Sequence, residues 1–80
     1  MRLDKFLKVS RIIKRRTIAK DAADSGRICV NDKVAKAGTD VSPGDIIEIK
    51  FGTNVLKAKV VATPEFTKKD EAASMYEVID

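Results

Sequence analysis

The chain has 80 residues, a net charge of +4, three Phe, one Tyr and no Trp, which limits it to one domain with a small core of Ile, Val, Leu and Ala. It has no histidine and one cysteine, Cys29, so an internal disulfide and a Cys/His metal cluster are excluded; Cys29 reads as a small buried strand residue rather than a nucleophile. The first residues lack an apolar run of signal-peptide length and no segment approaches the ~20 apolar residues of a membrane span, so a soluble cytoplasmic protein with no membrane partner is expected.

Leu3, Phe6, Leu7, Ser10 and Ile13 share one face at helical spacing, with Asp4, Lys5, Lys8 and Arg11 opposite, which predicts an amphipathic helix over roughly residues 3 to 13. A second helix is expected from about Ile18 to Ser25. Its apolar face is Ile18, Ala19, Ala22 and Ala23, Thr17 is placed to cap it, and Gly26 is placed to end it. Lys14, Arg15 and Arg16 then fall in the connection between the helices. A phosphate there would meet guanidinium groups and the unpaired N–H groups of a helix start together.

After Gly26 the period becomes alternating. "RICV", "ND" and "KVAK" read as a hairpin with a two-residue turn, "SPGD" at 42–45 as a second turn leading into "IIEIKF" at 46–51, and "GTN" as a third before "VLKAKVV" at 55–61. Two helices followed by four short strands predict an α+β domain, the helices packed on a small, bent antiparallel sheet. From Lys68 to Met75 a short helix is expected, and "MYEVI" fits a closing strand equally well. The division expected is one domain over 1–64 and a C-terminal extension over 65–80 packed on it.

Charge is unevenly spread. Residues 1–27 hold nine Lys/Arg against three Asp, and residues 28–80 hold seven against nine acidic residues. Such asymmetry points to a face that meets nucleic acid, or less often acidic protein or anionic lipid, with a solvated helix face as the plain alternative.

The stretches "RLDKFL" at 2–7, Arg11, "KRRTIAKDAADSGRICVN" at 14–31 and "PGDIIEI" at 43–49 together resemble the RNA-binding domain first named from small-subunit ribosomal protein four, over residues 1 to about 51. The resemblance implies the alpha-L RNA-binding motif, with Arg2, Lys5, Arg11, Lys14, Arg15, Arg16 and Arg27 at the positions that grip structured RNA. At 80 residues there is no room for the catalytic domains that larger relatives attach, so a stand-alone copy is implied. The start "MRLDKFLKVSRIIKRRTIAK" and the tail "TKKDEAASMYEVI" resemble the Gram-positive ribosome quality-control family known as RqcP or YabO, which is similar to the bacterial fifteen-kilodalton heat-shock protein. That resemblance implies a factor on large ribosomal subunits carrying stalled nascent chains. Its partners would be 23S rRNA of the large ribosomal subunit, tRNA and the alanine-tailing factor RqcH. The heat-shock relative has a longer basic C-terminal extension where this sequence is acidic, so its details do not carry over.

Phosphate contacts from a basic elbow position a protein by charge and RNA shape without reading bases. Phe6 lies on the apolar helix face, and Phe51, Phe66 and Tyr76 lie outside the basic segment, so stacking on single strands is not expected to dominate. No enzyme is expected, with no catalytic residue, cofactor or metal. Asp4 reads as an orienting ion-pair partner for neighbouring arginines, a plain surface carboxylate being the competing reading. The alternative function is a winged helix-turn-helix-like DNA-binding regulator, although "TIAKDAADSG" offers chiefly Ala, Asp and Lys where base-reading side chains are needed. A purely structural interaction module is a third option. A monomer is expected, as no dimer seam is evident.

Overall fold

The computed structural model describes residues 1–64, 68 and 70–79. Helix α1 spans Leu3–Val9, and its Leu3, Phe6 and Leu7 are fully buried. No side chain caps it. Its first N–H groups are satisfied at long range instead: Leu3 N–H donates to the Thr39 carbonyl (2.8 Å) and Asp4 N–H to that of Ala37 (3.2 Å). The helix is shorter than the expected 3–13. Arg11 takes a left-handed φ of 63°, and the Ser10 hydroxyl donates back to the Leu7 carbonyl (3.2 Å). Ile13 N–H then reaches that same carbonyl (3.1 Å). The reversal folds Ile13 back onto the core, so the expected apolar face is buried although the helix stops early.

Helix α2 spans Arg16–Asp24, two residues ahead of the expected start. Arg15 takes the N-cap position with no side-chain hydrogen bond, and Thr17 is an exposed residue of the first turn. It is not the cap. Local sequence placed a good capping residue at 17, but the chain enters the helix where Arg16 meets α1. Thr17→Ala should therefore change the unfolding free energy by less than ~0.5 kcal/mol in a urea titration, as an ordinary surface substitution does, against the loss of ~1 kcal/mol expected for a true cap. The C-terminus follows the pattern of a helix closed by a left-handed glycine. Gly26 has φ 83°, its N–H donates to Ala23, and Arg27 N–H donates to Ala22, both at 3.1 Å.

Ala19 and Ala23 are fully buried, and their small side chains let α2 lie close to its neighbours. Ile18, expected on the same apolar face, is 51% exposed.

One antiparallel sheet has the order β2-β1-β3-β4-β5. Strands β1 (Ile28–Val30) and β2 (Lys33–Val34) form the expected hairpin, with Asn31 and Asp32 both at positive φ (53° and 67°), as a type I′ turn requires. Asn31 also ties the turn to the sheet, its Oδ1 accepting from Ile46 N–H (3.0 Å) and its Nδ2 donating to Asp45 (3.2 Å). Strand β3 is Ile46–Phe51 and β4 is Asn54–Val60, each paired as the alternation predicts. Ile28, Val30, Ile47, Ile49, Ala58 and Val60 point inward and are buried. Cys29 faces the other way and is only half-buried, which corrects its reading as a buried residue.

The C-terminal ambiguity resolves into both forms. A 3-10 turn over Ala72–Met75 leads into β5 (Tyr76–Val78), a fifth strand paired with β4. Phe66 and the expected domain boundary after Pro64 border on or fall within residues outside the described ones.

Candidate nucleic-acid interface

Asp4 is the point at which two of the expected RNA-contacting arginines meet. Its carboxylate is buried, with 3% of the side chain exposed, beneath two arginines whose side chains are 52% (Arg2) and 46% (Arg16) exposed. Arg2 donates through Nε to Oδ1 (3.2 Å) and through Nη2 to Oδ2 (3.4 Å). Arg16 donates through Nε to Oδ2 (3.3 Å), and the backbone N–H of Lys5 donates to Oδ1 (2.8 Å). One anion therefore joins the start of α1 to the start of α2 and fixes two long, flexible side chains that stay about half exposed. Asp4 is thus an ion-pair partner of both neighbouring arginines. The competing reading, a plain surface carboxylate, does not survive its burial.

Burial by itself would raise the Asp4 pKa. The hydrogen bonds from Arg16, Lys5 N–H and Arg2 outweigh it and hold the carboxyl below its ordinary value. Because the folded value is depressed, the resulting stability is fully present above the unfolded carboxyl's pKa of about 3.9 and is lost as pH falls through the folded value. Urea midpoints measured from pH 5 downward should fall more steeply for wild type than for Asp4→Asn, which has no carboxyl to protonate at that position.

The other cations have different settings. Lys14 and Arg15 are exposed in the elbow, and Arg16 opens α2 rather than lying in the connection. Arg11 is exposed at the left-handed reversal after α1. Arg27 lies beyond the far end of α2, about 14 Å of helix from Arg16, and lines a hollow with Ile18 and Phe51. The structure thus unites Arg2, Asp4 and Arg16 and leaves Arg27 in a separate place.

Sequence reading missed the segment from Lys36 to Asp40. It seats the N-terminus of α1, forms a bridge between Arg2 and Asp40, and brings Gly38 beside the Arg2 guanidinium, 3.9 Å from where a Cβ would stand. Asp24 at the end of α2 holds this segment by accepting from Ala37 N–H (3.1 Å). The Gly-Thr-Asp cluster signals a turn, but nothing local shows that the turn faces Arg2.

The S4 domain model matches residues 1–47, which include α1, the elbow, α2 and the β1–β2 hairpin. A protein of Streptococcus pneumoniae (strain ATCC BAA-255 / R6) named "RQC P-site tRNA stabilizing factor" is 58% identical over 79 residues, covering 99% of this chain and 90% of that protein. The chain belongs to the S4-domain family of RQC P-site tRNA stabilizing factors. A Bacillus subtilis (strain 168) protein with the family's name is 54% identical, covering 99% of this chain and 92% of that protein. The fold is shared with heat shock protein 15 of Vibrio cholerae, described as trimeric, at a TM-score of 0.90 and 25% identity over 99% of this chain and 81% of that one. The family segment contains every cation proposed from sequence for RNA contact. Among the described residues no helix is long and apolar enough to cross a membrane.

Proposed function

We propose that the protein is a non-enzymatic, cytoplasmic RNA-binding factor of ribosome-associated quality control. It binds large ribosomal subunits carrying stalled nascent chains, touches 23S rRNA and tRNA, and supports alanine tailing by RqcH. Residues 1–64 form the RNA-binding unit, residues 65–80 extend it, and the protein acts as a monomer. The observation that carries this reading is the Arg2–Asp4–Arg16 cluster beside the elbow. A buried carboxylate holds two guanidinium groups in place before any phosphate arrives, so less side-chain freedom is lost on binding. Lys5, Arg11, Lys14, Arg15 and Arg27 add positive charge around it. The names of the relatives, which refer to tRNA at the P site, support the same reading.

The exposed residues of α2 include Thr17, Lys20, Asp21 and Asp24. Two carboxylates on the helix that a DNA regulator would insert into the major groove weigh against that alternative.

Sedimentation of the purified protein with large ribosomal subunits tests the proposal. Co-migration is expected, with affinity falling about a hundredfold between 50 and 200 mM salt for about four phosphate contacts. A complex insensitive to salt would exclude a phosphate-gripping surface.

A further inference from the structure

Arg2 is an extended residue (φ −65°, ψ 145°) that precedes α1 without a side-chain cap, so its backbone is held from elsewhere in the chain. It forms an antiparallel bridge with Asp40. On either side of the bridge, Val41 N–H donates to the Met1 carbonyl and Leu3 N–H to the Thr39 carbonyl, both at 2.8 Å. The Gly38 backbone lies against the guanidinium, with Cζ and Nη2 each 3.9 Å from where a Cβ would stand. The turn from Lys36 to Asp40 is thus the support on which Arg2 rests.

Ala37 and Val41 anchor this segment in the core, but Lys36, Gly38 and Asp40 are exposed. The turn closes on itself through Thr39, whose N–H donates to the Lys36 carbonyl and whose Oγ1 accepts from Lys36 N–H, both at 3.0 Å. The end of α2 ties it down. Asp24 Oδ1 accepts from Ala37 N–H (3.1 Å), and Lys36 Nζ donates to the Asp24 carbonyl (3.5 Å). The Ala37 carbonyl in turn accepts from Asp4 N–H (3.2 Å), so a continuous chain of hydrogen bonds runs from Asp24 to the start of α1.

An exposed carboxylate on α2 is otherwise out of place in a protein that grips a polyanion. On charge alone, removing either Asp21 or Asp24 should strengthen binding to RNA. We propose that Asp24 is a positioning residue for Arg2, acting through the Lys36–Asp40 turn, an inference that rests on the RNA-binding reading above. Asp4 holds the guanidinium, whereas Asp24 holds the backbone that carries it. Without the Asp24 acceptor the turn loosens, and Arg2 regains conformational freedom that is lost again when a phosphate binds.

Binding of full-length variants to large ribosomal subunits, measured well below every melting midpoint, tests this. Asp24→Ala should weaken binding about three- to tenfold, the range of coupling between groups in one hydrogen-bonded network. Asp21→Ala removes the same charge from the same helix and should bind as wild type does or more tightly. Asp24→Asn loses the charge but keeps an acceptor for Ala37 N–H, and should also bind at least as tightly as wild type. In an Arg2→Ala background, Asp24→Ala should weaken binding no further, because a residue that acts only through Arg2 has nothing left to position. Wild-type affinity in Asp24→Ala, an Asp24→Asn protein as weak as Asp24→Ala, or a full loss in the Arg2→Ala background each overturns the proposal. Amide exchange gives a readout independent of RNA: Leu3 and Asp4 N–H should exchange faster in Asp24→Ala, while Ile47 N–H in β3 should not. Should wild type fail to bind subunits, the ribosomal reading falls and the exchange still decides the role of Asp24: selective acceleration at Leu3 and Asp4 upholds it, and unchanged rates remove it.

Discussion

Asp4→Ala is expected to lower the unfolding free energy by about 2–3 kcal/mol and to weaken binding to large ribosomal subunits at the same time. The carboxylate accepts hydrogen bonds from Arg2, Arg16 and Lys5 N–H, and it is the anion in the first turn of α1. A hydrogen bond involving a charged group contributes about 1.5–3 kcal/mol when buried. Both arginines are half-exposed, so water recovers part of what they lose and the three bonds do not add in full. What water cannot replace is the neutralisation of two guanidinium groups held within hydrogen-bonding distance of one carboxylate. Without it Arg2 and Arg16 repel each other and the start of α2 loses its tie to α1. Asp4→Asn keeps the volume and an acceptor for Lys5 N–H, and should cost about half as much. Urea denaturation at neutral pH measures the stability change and subunit sedimentation the binding. An Asp4→Ala protein with wild-type values in both would show the buried anion to be dispensable.

Arg16→Ala and Arg16→Lys are both expected to release the protein from large subunits, weakening binding at least tenfold while the melting temperature stays near wild type. The geometry explains why lysine should fail. Arg16 engages Asp4 through Nε (3.3 Å), which leaves the outer edge of the guanidinium for a phosphate. One ammonium can satisfy the carboxylate or the phosphate, but it has no second, fixed set of donors for the other. Arg16 is half-exposed and the buried Asp4 keeps its hydrogen bonds from Arg2 and Lys5 N–H without it, so the cost to stability should stay at about 1 kcal/mol and loss of binding should not reflect unfolding. Arg2→Ala should act in the same direction, since Arg2 shares the carboxylate. Lys14→Ala should do so less, because Lys14 is an exposed elbow residue outside the Asp4 cluster. An Arg16→Ala protein that co-sediments fully would reduce the cluster to surface charge.

Local pattern was sufficient wherever a residue's conformation follows from its own chemistry and that of its neighbours. Asn31 and Asp32 take positive φ in the hairpin turn, as does Gly26 after α2, because turn and helix-end geometry depend on a few adjacent residues. Strand β3 begins and ends as its alternation indicates. The list of cations was equally legible, since charge and its clustering are read directly from composition.

Partners distant in sequence decided the rest. Asp4 shows the polar face of a helix wheel, yet it is buried because Arg16, twelve positions later, and the segment from Lys36 to Asp40 close over the start of α1. Helix α1 ends at Val9 because Arg11 turns left-handed and sends Ile13 into the core, a route that helical spacing alone does not distinguish from about one more turn of helix. Thr17 carries a capping side chain but stands inside α2. The fifth strand needs β4 as its template. Composition and periodicity therefore determined the fold class and the identity of the basic residues, both of which depend on local preference and charge. Which cations share an anion, and which lies beside Phe51, was decided by tertiary structure, because those arrangements are set by contacts that close only when the helices and the sheet are packed together.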